Sequence, residues 1–268
     1  MQVINYFAKR LESAGIRNFY QESIWLMSAA LNMSHSQIFS RQNFSSHELA
    51  KIDSFISRRE SGEPLQYILG ESTFYGRDFR VGPGVLIPRQ DTESLINLVK
   101  YCFNPEGEFS FLDFGTGSGC IAVTILLEFA NSFAYMLDIS EKALFYAREN
   151  ISRYNLNQRS KIVKSLDGFN ENINLLISNP PYIESQEIAE LDSSVKDYEP
   201  INALDGGIDG MKFYREIFAN KLKPRYIILE TGNLAQVNAL KNLSHEYKFT
   251  REFLDSGNFP RALLFEYI

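Results

Sequence analysis

Short apolar runs alternate with amphipathic segments of helical length between residue 91 and residue 268. This alternation predicts an α/β domain, with a largely parallel sheet covered by helices on both faces. The predicted strands are 109–115, 133–138, 161–163, 173–178 and 226–230, and the predicted helices are 95–102, 119–129, 141–154, 210–220 and 234–243. The first of these helices is predicted to be capped by Asp91 or Thr92. Residues 246–254 and 261–268 flank a turn at 255–259 and predict an antiparallel hairpin.

The N-terminal part of the chain has a different pattern, with apolar stripes at helical spacing and no strand signal. The first stripe consists of Ile4, Phe7, Ala8 and Leu11. Ser45 and Glu48 form a capping-box pattern ahead of another helix. Residues 1–61 are therefore predicted to form a small helical-bundle domain. Residues 62–90 are rich in Gly, Pro and aromatic residues and predict a linker with a β-hairpin, which leaves 91–268 as the α/β domain.

Charge and cysteine content argue against several classes of protein. The chain has 27 Lys+Arg and 33 Asp+Glu, a net charge of −6, which argues against a general binder of duplex nucleic acid. Cys102 and Cys120 are too few for a disulfide framework or a cysteine-rich zinc site, and the three histidines lack metal-ligand spacing, so no metal is expected. Neither a signal-peptide pattern nor a membrane-spanning run is visible, so we expect a cytoplasmic protein.

A glycine-rich turn follows the first predicted strand of the α/β domain. Its residues are Asp113, Phe114, Gly115, Thr116, Gly117, Ser118 and Gly119. Glycines let the backbone approach a ligand, and the amides of the next helix point at the same place. The G-x-G-x-G spacing differs from the G-x-G-x-x-G of dinucleotide-binding folds and suits a nucleoside with an amino-acid tail. The alternative is a tight strand-to-helix turn without a ligand.

An acidic residue, Asp138, ends the second predicted strand. A carboxylate at this edge of a parallel sheet can accept hydrogen bonds from both ribose hydroxyls of a bound nucleoside. The alternative is that Asp138 only caps the helix that begins near Ser140. The nearby glycine turn favours the ribose role.

The motif Asn179-Pro180-Pro181-Tyr182 follows the apolar strand 173–178. The prolines stiffen the backbone, and the Asn side chain and backbone carbonyls can hold a planar –NH2 group by both hydrogens. Tyr182 can pack over the plane of that group. Methyl transfer to an amide or exocyclic amine requires this strict orientation rather than strong acid–base chemistry. The alternative is a proline-rich turn with no chemical role.

These motifs resemble those of class I S-adenosylmethionine-dependent methyltransferases, whose amino-methylating branch carries N-P-P-Y. Longer blocks narrow the resemblance to the release-factor glutamine methyltransferases, the PrmC/HemK family. The blocks are residues 62–93, 179–185, 198–217 and 229–236. Together with the helical N-terminal segment they extend the resemblance over nearly the whole chain.

The resemblance implies a Rossmann-like, seven-stranded, mostly parallel sheet. It implies methylation by S-adenosylmethionine of the glutamine amide nitrogen in the Gly-Gly-Gln motif of class 1 peptide chain release factors, which leaves S-adenosylhomocysteine. Residues 113–119 would line the methionine end of the cofactor, and Asp138 would hold the ribose. Asn179 would contact both cofactor and target amide, with Pro180, Pro181 and Tyr182 completing the substrate grip. The N-terminal domain would bind the release factor, or else only stabilise the fold.

The chain departs from the family pattern near the expected adenine. Asp167 can supply the usual acid, but Gly168 stands where a bulky ring is common, so Phe169 is the candidate replacement. Gln90 also replaces a common proline.

Three alternative functions stay open at this point. A nucleic-acid amino methyltransferase would share N-P-P-Y but would carry a basic cleft and a recognition region. A nicotinamide-dependent dehydrogenase is disfavoured by the glycine spacing, and a non-catalytic binding module by the intact motifs. We expect a monomer without stable nucleic-acid binding or membrane association.

Overall fold

The computed structural model describes residues 2–255 and 257–268. Met1, at the start of the predicted helical domain, and Ser256, in the predicted C-terminal turn, lie outside the described residues. The chain divides into two compact units. The first holds the residues up to Glu71 together with Asp192–Tyr198, and the second holds Ser72–Leu191 and Glu199–Ile268. Residues 62–71 of the predicted linker thus group with the helices, and 72–90 group with the sheet.

The first unit is helical. Its helices are α1 (Gln2–Ser13), α2 (Phe19–Leu31), α3 (His35–Ser40), α4 (Ser46–Glu60), α5 (Leu65–Leu69) and α9 (Ser193–Lys196). The predicted stripe Ile4, Phe7, Ala8 and Leu11 is buried, and it forms the α1 side of the core. Ser45 and Glu48 form the predicted capping box at the start of α4. Ile68 of α5 is buried in the same core, which explains why residues beyond 61 group with the helices.

A two-stranded hairpin formed by β1 (Glu71–Phe74) and β2 (Arg77–Arg80) confirms the hairpin predicted in 62–90. Its two turn residues, Tyr75 and Gly76, both have positive φ angles, of 50° and 70°. Two consecutive positive φ angles match the right-handed twist of the strands that a tight hairpin connects.

The second unit is built on a seven-stranded sheet, as the resemblance implied. Its strands are β3 (Phe109–Phe114), β4 (Ser132–Leu137), β5 (Ser160–Val163), β6 (Leu175–Ser178), β7 (Tyr226–Glu230), β8 (Tyr247–Leu254) and β9 (Pro260–Tyr267). Their order is β5-β4-β3-β6-β7-β9-β8. The pairs among β3 to β7 are parallel, and β9 runs antiparallel to both β7 and β8. The sheet is therefore mostly parallel with a C-terminal antiparallel hairpin.

Helices cover both faces of this sheet. They are α6 (Glu93–Cys102), α7 (Cys120–Glu128), α8 (Glu141–Arg153), α10 (Lys212–Ala219) and α11 (Leu234–Leu240). Successive residues of a strand point to opposite faces. Phe111 of β3 packs in the core with α6, α7 and α8, while its neighbour Leu112 packs in the core with α10 and α11. Both residues are 0% exposed, which is why the central strands read as continuous apolar runs.

Thr92 occupies the N-cap position of α6, as one of the two predicted alternatives, but its side chain makes no capping hydrogen bond. A 3-10 turn, Gln90–Thr92, precedes the helix, and Thr92 already has helical angles of φ −62° and ψ −21°. A side-chain N-cap requires a non-helical residue, so the Thr92 hydroxyl makes no cap hydrogen bond and is available for another contact.

The strand order decides where a ligand can bind. From β3 the chain first adds β4 and β5 on one side, and then returns to add β6 and β7 on the other. A reversal of this kind opens a crevice at the carboxyl ends of the strands beside β3. Among the described residues no helix is long and apolar enough to cross a membrane.

Candidate active site

The three sequence motifs meet at this edge of the sheet. The glycine turn follows β3, Asp138 follows β4 and Asn179 follows β6. Together with other segments they line one cavity. Its walls include Val85, Ile87, Arg89, Thr92, Phe114, Gly115, Thr116, Gly117, Ser118, Leu137, Asp138, Ile139, Asn179, Pro180, Pro181, Asn202, Ala203 and Phe213.

The glycine turn is held against the end of β4. The backbone amides of Gly115 and Thr116 both donate to the Leu137 carbonyl at 2.8 Å. Gly117 donates to Asp138 Oδ2 at 2.9 Å. Gly115 and Gly117 have φ angles of +75° and +56°, and a Cβ on Gly115 would meet no atom within 4 Å. The turn therefore needs glycine for its backbone conformation and leaves open space beside Gly115, as a ligand-binding turn requires.

Two residues of the predicted motif lie behind the turn rather than on the cavity wall. Asp113 is 0% exposed, and its Oδ2 accepts a 2.6 Å hydrogen bond from Thr116 Oγ1. Burial raises the pKa of Asp113 to about 7. A Cβ on Gly119 would lie 2.8 Å from Met136 Cε and 3.5 Å from Ala147 Cα, so this glycine allows close packing of α7. Direct contact of either residue with a cofactor stays a prediction.

Asp138 is half-buried at the cavity wall. Its Oδ1 accepts from the Ser140 amide at 2.8 Å, while Ser140 itself is the N-cap of α8 and accepts from Ala143. Asp138 is therefore not the helix cap. Burial raises its pKa, although the amides of Ser140 and Gly117 oppose this shift. The carboxylate shapes the glycine turn and lies where hydroxyl donors of a ligand can reach it.

We expect Asp138→Ala to weaken binding of S-adenosylmethionine about 10- to 100-fold, since a hydrogen bond to a charged group contributes about 1.5–3 kcal/mol. Titration calorimetry would measure the dissociation constant. Because the raised pKa makes the carboxylate protonate more readily, wild-type affinity should fall as the pH decreases and Asp138→Ala affinity should not.

Asp192→Ala is the matched control for this variant. Asp192 also accepts a backbone amide, that of Ser194 at 2.8 Å, but it lies outside the cavity lining. Its variant should bind the cofactor as the wild type does. Equal affinities for Asp138→Ala and Asp192→Ala would contradict the assignment.

Asn179 emerges from β6 beside the end of β3. The preceding residue, Ser178, donates to the Phe114 carbonyl at 2.6 Å and ties the two strand ends together. Asn179 Nδ2 donates to Thr92 Oγ1 at 3.1 Å. This bond uses the donor end of the Asn179 amide and leaves Oδ1 as its acceptor. Pro180 and Pro181 follow on the same wall of the cavity.

Tyr182 is held by the segments that follow β7 and precede α10. Gln236 Nε2 donates to the Tyr182 carbonyl at 2.7 Å. A Cβ on Gly232 would lie 2.4 Å from Tyr182 Cδ2, and one on Gly210 would lie 2.4 Å from the Tyr182 carbonyl oxygen. Tyr182 is absent from the cavity wall described above. Its predicted contact with substrate stays a prediction.

The predicted adenine residues are not brought to this cavity. Asp167 is exposed, and its Oδ2 accepts from Ser165 Oγ at 2.8 Å. Gly168 is exposed, with a φ of +71°. The Phe169 ring packs edge-on against Tyr135, with 5.1 Å between the ring centroids. Asp167, Gly168 and Phe169 as cofactor contacts stay a prediction.

Two buried carboxylates near the cavity have no role in the predictions from the sequence. Glu199 is 4% exposed, accepts the Ile87 amide at 3.0 Å and pairs with Arg89, so it joins two walls of the cavity. Glu230, 1% exposed, ends β7. The sequence does carry one indication of Glu230: like Asp138, it is an acidic residue at the end of a buried strand.

The polar groups of the cavity wall suit holding a ligand in one orientation. The wall combines glycine amides, the carboxylates of Asp138 and Glu216, the Asn179 amide and stiff proline backbone. Among the described residues no group of three or more His, Cys, Asp or Glu side chains could hold a metal ion. The open turn at Gly115 and the Asp138 carboxylate fit a nucleoside that carries an amino-acid tail.

Comparison with known proteins gives two family matches. The PrmC N-terminal domain matches residues 2–70, and the methyltransferase small domain matches residues 92–193. The release factor glutamine methyltransferase of Koribacter versatilis is 36% identical over 239 residues, which is 86% of this chain and 85% of that relative. The protein of the same description from Agrobacterium fabrum is 34% identical over 274 residues, 96% of this chain and 93% of that relative.

Solved structures share the fold at lower identity. The hMettl16 catalytic domain, in complex with MAT2A 3′UTR hairpin 1, matches 84% of this chain and 82% of that chain, with a TM-score of 0.56 and 18% identity. A methyltransferase from Pyrococcus furiosus matches 72% of this chain and 89% of that chain, with a TM-score of 0.52 and 22% identity. These likenesses show a methyltransferase fold alone.

Proposed function

The chain belongs to the release factor glutamine methyltransferase family, and from this we propose the reaction and the roles of its residues. It methylates the side-chain amide nitrogen of a release-factor glutamine, the Gln of the Gly-Gly-Gln motif of class 1 peptide chain release factors. It thereby modulates translation termination. The protein acts in the cytoplasm as a monomer and needs no metal.

The observation that carries the assignment of the site is the orientation of Asn179. Its Nδ2 is engaged by Thr92, so its Oδ1 acts as an acceptor beside the glycine turn and the two prolines. A primary amide has two N–H donors, and we assign them to Asn179 Oδ1 and the Pro180 carbonyl. Hydrogen bonds to both N–H groups of the substrate amide favour a pyramidal nitrogen, whose lone pair is less delocalised into the carbonyl. This is binding of the transition state in preference to the ground state.

S-adenosylmethionine supplies an electrophilic methyl group when bound and is converted to S-adenosylhomocysteine. We assign its methionine end to the amides of the glycine turn and its ribose to Asp138. Asp138 Oδ2 accepts the Gly117 amide and Oδ1 accepts the Ser140 amide, and each oxygen can accept one further donor, such as a ribose hydroxyl. No residue is assigned as general base, and the proton leaves the product after transfer.

The alternative, an amino-group methyltransferase acting on DNA or RNA bases, is not favoured. The curated relatives that match most of this chain are described as release factor glutamine methyltransferases. The likeness to a methyltransferase domain in complex with an RNA hairpin extends to the fold alone. We expect no stable nucleic-acid binding.

The helical domain, residues 1–61, binds the release factor away from the reacting glutamine in this proposal. Deleting residues 1–60 should raise KM for intact release factor and change KM for a short Gly-Gly-Gln peptide little. An unchanged KM for intact release factor would instead indicate a domain that only stabilises the fold.

The deciding experiment is methyl transfer from labelled S-adenosylmethionine to three acceptors. They are a purified class 1 release factor, the same factor with its Gly-Gly-Gln glutamine replaced by alanine, and duplex DNA. We expect label on the intact factor only. Label on the replaced factor or on DNA would assign the chemistry to another acceptor.

A further inference from the structure

We propose that Glu199 is a positioning residue that holds Arg89 on the cavity wall as a neutral ion pair, so that the cavity admits a positively charged sulfonium. The inference deepens the proposed function and rests on it for the identity of the cofactor, S-adenosylmethionine. The sequence motifs assign a role to neither residue.

The ion pair uses both oxygens of a buried carboxylate. The Glu199 side chain is 1% exposed, and its Oε1 accepts from Arg89 Nη2. Its Oε2 accepts the backbone amide of Ile87 at 3.0 Å. A charge buried this deeply is stable only when it is paired and its oxygens are hydrogen-bonded, and Glu199 meets both conditions. The carboxylate is therefore fixed beside the guanidinium.

The charges on the cavity wall show what this pairing changes. Arg89 is the one basic residue among the described residues that line the cavity, and its side chain is 39% exposed. A guanidinium keeps its positive charge in proteins. The acidic residues on the same wall are Asp138 and Glu216. Once Glu199 has cancelled the charge of Arg89, these two carboxylates leave the wall with a negative balance, which attracts a cationic ligand.

The proposed reaction moves a positive charge through this cavity. The sulfonium of S-adenosylmethionine carries one positive charge, and the thioether of S-adenosylhomocysteine carries none. Transfer of the methyl group breaks the S–C bond and leaves its electrons on sulfur, while the nitrogen lone pair forms the new N–C bond. The positive charge thus passes to the substrate amide until its proton leaves. An unopposed Arg89 would repel this charge before and during the transfer.

Two ligands that differ by this one charge test the proposal without catalysis. Titration calorimetry would give the dissociation constants of S-adenosylmethionine and S-adenosylhomocysteine for each variant. Glu199→Gln keeps the side-chain shape and an acceptor for the Ile87 amide but removes the negative charge. We expect the ratio of the first constant to the second to rise about 2- to 15-fold, the repulsion of unit charges roughly 10 Å apart at a dielectric constant of about 20–80.

Further variants separate charge from packing. The double variant Glu199→Gln/Arg89→Met removes both charges and should restore the wild-type ratio. Arg89→Met alone leaves the carboxylate unopposed and should lower the ratio, which tests the pair even if Glu199→Gln fails to fold. Glu266→Gln is the matched control, because Glu266 pairs with Arg225 at 3.2 Å and neither residue lines the cavity. Its ratio should equal that of the wild type.

The ratio is insensitive to general damage, because a distorted wall would weaken both ligands alike. An unchanged ratio in Glu199→Gln, or a raised ratio that persists in the double variant, would overturn the proposal. Wild-type protein that binds S-adenosylmethionine but does not methylate release factor would overturn the proposed function, while the ratios would still decide the role of Glu199. Wild-type protein that binds neither ligand would overturn both.

Discussion

Replacing Asn179 with alanine is expected to lower kcat for release-factor methylation by at least about 100-fold, the typical effect of removing one aimed polar contact from an active site. The reason is that alanine removes the acceptor Oδ1 and also leaves Thr92 without its donor. Cofactor affinity should fall only in part, because the glycine turn and Asp138 remain. Steady-state kinetics and cofactor titration would measure the two effects separately.

Asn174→Ala is the matched control for this experiment. Asn174 precedes the same strand, β6, and its Oδ1 accepts from the Ser110 amide at 2.9 Å at the opposite edge of the sheet. This variant also loses an asparagine side-chain hydrogen bond, but Asn174 does not line the cavity. Near-normal methylation by Asn179→Ala would refute the assigned role of the motif.

Gly210→Ala is expected to damage both stability and activity, although Gly210 lies outside every predicted site. Its φ is +66°, and an added Cβ would lie 2.4 Å from the Tyr182 carbonyl oxygen and 2.6 Å from Gln236 Nε2. These atoms form the hydrogen bond that holds Tyr182. The left-handed conformation and the overlap together should cost about 2–4 kcal/mol of unfolding free energy. Displacement of Tyr182 should also shift the adjoining Asn179 and so lower kcat about 100-fold.

The variant Gly76→Ala separates the cost of the left-handed conformation from the cost of the overlap with neighbouring atoms. Gly76 has a similar φ of +70°, but a Cβ there would meet nothing within 4 Å. The Gly76→Ala variant should therefore lose only the unfolding free energy that the left-handed conformation costs an alanine, about 1–2 kcal/mol. Its activity should be unchanged. Denaturant unfolding and methylation assays would compare the two variants. Equal stability losses and full activity in both would show that the contact with Tyr182 has no consequence.

Much of the fold could be predicted because its signals are local. The short apolar runs and the spacing of apolar residues predicted the strands of the sheet and the C-terminal hairpin. The predicted strand bounds differ from those in the structure by only a few residues. The capping box at Ser45 and Glu48 was confirmed for the same reason. Thr92 is the N-cap residue of α6, but the sequence does not reveal that its backbone is already helical and that its hydroxyl accepts from Asn179 instead of capping the helix.

The candidate site could be predicted only in part. Asp138 and Asn179 were predicted because a polar residue directly after a buried strand is visible in the sequence, and parallel strands end at one edge. The structure places both on the cavity wall, and their roles stay predictions. Glu230 also ends a buried strand, but only the pairing of β6 with β7 shows that it follows the strand beside the one that precedes Asn179. The roles of Asp167, Gly168 and Phe169 stay predictions, since these residues lie outside the cavity wall.

The amino-acid order alone specifies which residues follow a strand, which turns need glycine and which backbone is stiffened by proline, because each depends on near neighbours in the chain. Tertiary structure alone decides which of those residues meet. Thr92 and Asn179 are 87 positions apart, and Gly210 contacts Tyr182 through a separate loop. Such contacts depend on the order of the strands and the packing of the loops between them. The orientation of the Asn179 amide follows from that arrangement.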